Sequence, residues 1–149
     1  MRTEALCQVE KLQVYPTQQG ALKRCIWWYH LIAEFWECPF DTLAEAKTVE
    51  KALKSALNFN GKKRDIHAIS YQFQPFGVSA QVNSGTAQIY IHTWPENGYG
   101  AIDILAESKE DAYKILKKLQ ENLKPKNIYI AEIVRGISED RANGEGGET

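Results

Sequence analysis

Residues Phe73 to Glu107, FQPFGVSAQVNSGTAQIYIHTWPENGYGAIDILAE, decide how this chain folds. Ile89, Ile91 and Thr93 alternate with Tyr90, His92 and Trp94, the period of two expected of a strand whose faces meet different surroundings. Pro95 has no N–H to give to a ladder, so the strand ends there. Glu96, Asn97 and Gly98 supply a turn, and Tyr99 to Ala106 alternates again as the return strand of a hairpin. Upstream, Pro75 and Gly77 interrupt the chain between Phe73 and Val78. The expected product is a wall of adjacent strands carrying Phe73, Ser79, His92, Glu96 and Glu107, an aromatic ring among polar and reactive groups that core packing does not call for.

Outward from this stretch the patterning continues. Asp65 to Gln74 alternates as a strand, with Ile66, Ala68, Ser70 and Gln72 on one side and His67, Ile69, Tyr71 and Phe73 on the other. Asp41 is placed to cap a helix whose apolar stripe is Leu43, Ala46, Val49, Leu53, Ala56 and Leu57, with Glu45 and Glu50 toward its start and Lys51 and Lys54 toward its end. The polar loop from Asn58 ends in Lys62-Lys63-Arg64, which reads as a solvated run. Cys25 to Trp36, CIWWYHLIAEFW, is rich in aromatic and β-branched residues and reads as a strand buried on at least one face, with His30 and Glu34 on the same side.

Downstream, Ser108 caps a second helix that carries Glu110 and Asp111 in its first turn. Ala112, Ile115, Leu116, Leu119 and Leu123 form its buried face, Pro125 follows its end, and Asn127 to Arg135 is the last strand. Residues 1–24 form an N-terminal extension with a strand from Leu6 to Tyr15 and a polar turn after it; this segment either extends the sheet edge or covers a partner. Residues 25–136 are the main domain. From Ile137 the sequence is acidic, glycine-rich and nearly free of apolar groups, so 137–149 is expected to be a disordered tail.

With 149 residues, 44% of them hydrophobic and 25% charged, the chain is long enough to bury one sizeable core. A net charge of −1 offers no electrostatic footprint for nucleic acid or an anionic membrane. No apolar run approaches the roughly 20 residues of a spanning helix, and the N-terminus, with Glu4 and Glu10, does not read as a signal peptide. Three widely spaced cysteines, Cys7, Cys25 and Cys38, predict no disulfide framework and a cytoplasmic location. None has a histidine at metal-ligand spacing, so no metal site is expected. Strands joined by short connections, with two helices, predict an α+β fold: a two-layer α/β sandwich of an antiparallel sheet with both helices on one face. Its other face, bearing Trp, Tyr, His and Phe side chains, then needs cover.

The motifs Ile91-His92-Thr93-Trp94-Pro95-Glu96, Phe73-x-Pro75-x-Gly77-Val78-Ser79 and His30-x-x-x-Glu34-x-x-x-Cys38 resemble the small prokaryotic S-adenosylmethionine decarboxylases. The likeness runs without gaps from Phe73 to Glu107 and extends from about His30 to Gly136. It implies the family's two-layer fold and a homodimer whose sheets face each other with the site between them. It also implies a link to spermidine biosynthesis. By the same resemblance Phe73 would stack on an adenine, Glu96 would hold ribose hydroxyls, Trp94 would belong to the ligand-binding set, and Ser79 and His92 would be processing residues. His30 and Glu34 occupy places where the family has a histidine and an acidic residue.

Two positions depart from the pattern. The family's pyruvoyl group forms by self-cleavage at a serine that follows a glutamate and lies five residues before the hexapeptide histidine. Those positions are Thr86 and Ala87 here, and an alanine has no hydroxyl to attack the preceding carbonyl. The family's catalytic cysteine, a proton donor, falls at Glu107, a carboxylate that could donate at neutral pH only if burial raised its pKa. Ser84 would need a slip of three residues, which inverts the strand's faces, and Thr86 would give a ketobutyryl group one position out of place. The expectation is therefore a chain without the pyruvoyl cofactor, leaning away from decarboxylase activity, that binds S-adenosylmethionine or a related nucleoside or modulates an active paralogue. The alternatives are an enzyme acting through an unrecognised residue such as Glu107 and a purely structural assembly module.

Overall fold

The computed structural model describes residues 7–14, 22–61 and 65–139. In chain order the elements are β1 (Gln8–Val14), β2 (Leu22–Trp36), α1 (Phe40–Leu43), α2 (Ala46–Leu57), β3 (His67–Gln72), β4 (Val78–Asn83), β5 (Ala87–Trp94), a 3₁₀ turn (Pro95–Asn97), β6 (Tyr99–Ala106), α3 (Lys109–Leu123) and β7 (Asn127–Glu139). The strands form one sheet in the order β1-β7-β2-β6-β5-β4-β3. Every neighbouring pair is antiparallel except β1 with β7, which run parallel. The two-layer α+β sandwich is as expected, but the sheet is mixed: of the two outcomes open for the N-terminal extension, Gln8–Val14 extends the sheet edge as β1, parallel to β7.

Alternation sorts the two faces. Leu31, Ala33 and Phe35 of β2, Ile102, Ile104 and Ala106 of β6, Ala87, Ile89 and Ile91 of β5, and Val78, Ala80 and Val82 of β4 are all buried. They pack with Val49, Leu53, Ala56 and Leu57 of α2 and with Ala112, Ile115, Leu116, Leu119 and Leu123 of α3 in one core. Burying these side chains is the main force holding helices to sheet. Glu132 lies on the same face at 0% exposure. Its carboxylate accepts from the Tyr29 hydroxyl at 2.9 Å and from the Tyr113 hydroxyl on α3, which offsets the cost of burying it.

Three local expectations are corrected. The helix predicted from Asp41 is two pieces, because the chain turns at Ala44 and Glu45; Asp41 sits in the first turn of α1, and neither helix has a side-chain cap from its own N-cap residue. The strand expected from Cys25 begins at Leu22. The tail expected from Ile137 starts later, because Ile137, Ser138 and Glu139 continue β7 and pair with Arg24, Lys23 and Leu22. That partner strand supplies the backbone hydrogen bonds that composition alone could not foresee. The rest of the predicted tail, the loop run Lys62-Lys63-Arg64 and the turn after β1 lie outside the described residues. Ser108 does cap α3, accepting from the Asp111 N–H at 3.1 Å.

Gly98 closes the hairpin between β5 and β6 with φ +62°, the left-handed region. A Cβ there would lie 3.1 Å from the Cys38 carbonyl oxygen and 3.2 Å from Glu37 Cα. The Gly98 carbonyl in turn accepts from Cys38 N–H at 2.9 Å, so the hairpin tip is tied to the end of β2.

Candidate functional site

The helix-free face of the sheet exposes Trp36, Tyr71, Tyr90, Trp94 and Tyr129, with Ser79, His92 and Phe73 among them. At its β3-β4-β5 end lies a pocket of about 350 Å³ lined by Phe73, Phe76, Gly77, Val78, Ser79, His92, Thr93, Trp94 and Glu96. Five residues singled out in the sequence, Phe73, Ser79, His92, Trp94 and Glu96, therefore converge on one cavity. A volume of this size falls within the range of small-molecule sites.

Local structure explains the convergence. Ser79 and His92 are register partners across β4 and β5, and the Ser79 Oγ lies 2.7 Å from His92 Nδ1. One proton is shared across that contact, so the hydroxyl can donate to the ring or accept from it according to tautomer. Trp94 ends β5 two residues on and faces the same way. Pro95 then turns the chain into the 3₁₀ turn that carries Glu96. Phe73 follows β3 directly; its ring meets Tyr71 edge-on with centroids 4.8 Å apart, and Phe76 meets Phe40 of α1 at 4.9 Å. The cavity thus offers three aromatic side chains, Phe73, Phe76 and Trp94, with a carboxylate and a hydroxyl–imidazole pair.

Ala87 and Glu107 are not in this lining. Ala87 opens β5 on the helix-facing side at 3% exposure, opposite Ala106, while His92 lies five residues along the strand on the other face. At strand spacing that is roughly 16 Å away. The turn before it is closed by Ser84, whose N–H donates to the Ala87 carbonyl at 3.0 Å and whose hydroxyl lies 3.4 Å from the same oxygen. Glu107 is exposed, immediately after β6. The wall predicted to carry Glu107 beside Ser79 and His92 thus loses that member to the far end of the hairpin.

His30 and Glu34 share the open face, as their spacing predicts, but sit outside the pocket. His30 Nε2 lies 3.1 Å from Asp103 Oδ1. Glu34 accepts from the Tyr99 hydroxyl at 2.6 Å. Partial burial, then the Glu34 hydrogen bond and the nearby carboxylates of Glu34 and Asp103, push the Tyr99 phenol well above its ordinary value. Tyr99 is also stacked between Trp36 and Trp94, at centroid distances of 4.3 and 5.4 Å. Cys38 is buried, and that burial, with a smaller push from Cys7, raises its thiol to about 12. Among the described residues no His, Cys, Asp and Glu side chains gather into a metal-binding group.

The residues missed by reading the sequence are those that shape the pocket from behind: Phe76, Thr93 and Gln72. Thr93 had a visible signal, a hydroxyl in the buried alternation of Ile89 and Ile91. Gln72 had none, because its partners lie on a helix distant in sequence.

A mixed sheet backed by helices on one side and carrying a pocket of aromatic, carboxylate and hydroxyl–imidazole groups on the other defines a two-layer α+β fold with a pocket of small-molecule size at the sheet end. The chain belongs to the S-adenosylmethionine decarboxylase family, whose sequence pattern it matches over residues 29–136. It is 35% identical over 108 residues to the S-adenosylmethionine decarboxylase proenzyme of Thermotoga maritima, covering 72% of this chain and 82% of the relative. To the proenzyme of Clostridium botulinum it is 38% identical over 109 residues, 72% of this chain and 93% of the relative. The crystal structure of the adenosylmethionine decarboxylase from Aquifex aeolicus shares the fold, with a TM-score of 0.65 at 23% identity over 84% of this chain and 98% of that one.

Proposed function

We propose that this protein is a family member that makes no pyruvoyl group and binds S-adenosylmethionine or a related nucleoside in the Phe73–Glu96 pocket without turning it over, as a pseudoenzyme connected with polyamine synthesis. The observation that carries the reading is Ala87. The family's prosthetic group is made from a serine of the chain itself, and the matching position here supplies a methyl group buried against Ala106. The residues present do not fit the group. Glu107, at the family's proton-donor position, is an exposed carboxylate outside the pocket.

The ligand side of the proposal rests on what remains together. Phe73 is 48% exposed and presents a ring face to a base. Glu96 offers two acceptor oxygens to a diol. Ser79 and His92, paired at 2.7 Å, give the site a hydrogen-bonding floor. The open sheet face, with its row of exposed Trp and Tyr side chains, is covered in this reading by a second copy of the chain.

Two measurements test the reading. Intact mass of the purified protein should give one full-length chain of 16.9 kDa; two fragments summing to the whole, one with a blocked amino terminus, refute it. Titration calorimetry with S-adenosylmethionine should show weak binding without carbon dioxide release, reduced by Phe73→Ala and by Glu96→Gln. No heat and no thermal shift at millimolar ligand would leave the family fold without a family site.

A further inference from the structure

We infer that Gln72 and Thr93 are positioning residues that hold the Phe73–Gly77 loop, and with it the pocket's aromatic wall, in ligand-ready form by clamping it to the α1–α2 corner. The inference rests on the pocket reading above and adds two residues whose side-chain polar atoms bond backbone groups behind the wall.

Gln72 ends β3 with its side chain on the helix side of the sheet. Its Oε1 accepts from the Ala46 N–H, the first of α2, at 2.6 Å. Its Nε2 shares its protons among the carbonyls of Ala44 at 2.9 Å, Gly77 at 2.9 Å and Phe73 at 3.1 Å. One amide therefore caps the second helix and fastens both ends of the loop. The backbone repeats the connection, since the Gly77 N–H donates to the Ala44 carbonyl at 3.0 Å and the Phe73 N–H to the Gly77 carbonyl at 2.8 Å.

Thr93 fastens the far side. It is 6% exposed; its Oγ1 accepts from the Val78 N–H at 2.9 Å and donates to the Leu43 carbonyl at 2.8 Å. Strand β5, the start of β4 and the end of α1 are thus joined through a single hydroxyl. Gly77, at φ +114°, fits between them; a Cβ there would lie 3.5 Å from the Thr93 carbonyl and 3.7 Å from Phe73 Cβ. Phe73 and Phe76 both lie within the span the two residues pin. A loop fixed before the ligand arrives does not lose its conformational freedom on binding, so the clamp acts on affinity.

Four variants test this, with amide exchange and S-adenosylmethionine calorimetry as readouts. Gln72→Met keeps the length of the side chain and removes both polar ends; Gln72→Glu keeps the acceptor for Ala46 and removes the donor. Thr93→Val is close to isosteric without the hydroxyl, and Thr93→Ser restores it. The Gln72 variants and Thr93→Val should speed exchange of the Phe73 and Gly77 amides by about tenfold while Ile104, in β6, is unchanged, and should weaken ligand binding by about tenfold. Thr93→Ser should stay within about twofold of wild type in both. Loop amides no faster than wild type in Gln72→Met, or a loosened loop with unchanged affinity, would overturn the clamp. Should Thr93→Val fail to fold, the Gln72 pair decides alone. A wild type that binds no S-adenosylmethionine while its loop loosens in Gln72→Met overturns the ligand reading and leaves the clamp standing.

Discussion

Ala87→Ser adds one oxygen at the position that the proposed function equates with the family's precursor serine, and the structure says what that oxygen would meet. The side chain of residue 87 is 3% exposed, faces the helices, and lies opposite Ala106 at 0%. Its own carbonyl already receives the Ser84 N–H and hydroxyl. A hydroxyl buried without a full partner costs about 1 to 3 kcal/mol. For a domain of this length each kcal/mol lowers the melting temperature by about 2 to 4 °C, so the variant should melt about 2 to 12 °C below wild type. Gln88→Ser, one residue on and on the open face, is the control and should change stability by less than about 0.5 kcal/mol. Differential scanning calorimetry with intact mass on the same samples separates loss of stability from cleavage. An Ala87→Ser protein that melts with or above the control would refute the placement of this side chain in the core. The combined Ala87→Ser, Thr86→Glu and Glu107→Cys variant then asks about the pocket: cleavage between positions 86 and 87 and release of carbon dioxide would show its remaining groups competent.

Sedimentation at micromolar concentration should give twice the 16.9 kDa chain mass; a clean monomer would leave the aromatic sheet face to another protein. Tyr99 should resist ionisation when phenolate absorbance is followed to high pH, seen as the difference between wild type and Tyr99→Phe. Because its folded pKa lies above the unfolded value, the stability it contributes is complete below about pH 10 and is lost as the pH rises through the folded pKa. Thermal melts of the two proteins should therefore converge as the pH rises, and constant separation from pH 8 to 12 would contradict a Tyr99 phenol raised by its burial and its bond to Glu34. With a thiol at about 12 and little exposure, Cys38 should escape alkylation at pH 8 until the protein is unfolded, whereas Cys7, which is partly exposed, should react in the native state.

Much of this protein was legible in its sequence because the relevant physics is local. The alternation of Ile89, Ile91 and Thr93 with Tyr90, His92 and Trp94 gave the faces of β5, and Pro95 with Gly98 marked where the hairpin turns; the pairing of His92 with Ser79 came with the β4–β5 register. The buried face of α3 follows from a spacing of three and four residues, and its start from the Ser108 hydroxyl. The proposed reading of Ala87 at the precursor-serine position comes from the motifs around it and needed no coordinates.

What only the tertiary structure decided depends on partners distant in the chain. Nothing between Gln8 and Val14 specifies a parallel neighbour; that choice belongs to β7, more than a hundred residues away. The break between α1 and α2 arises where Gln72 supplies a cap to Ala46, a contact no periodicity encodes. Ile137 to Glu139 look like tail until the start of β2 offers them a ladder. Strand patterning placed Glu107 in the same wall as His92, and the sheet put it at the other end, because position along a hairpin, unlike the face of a strand, is set by how far the chain runs before it turns.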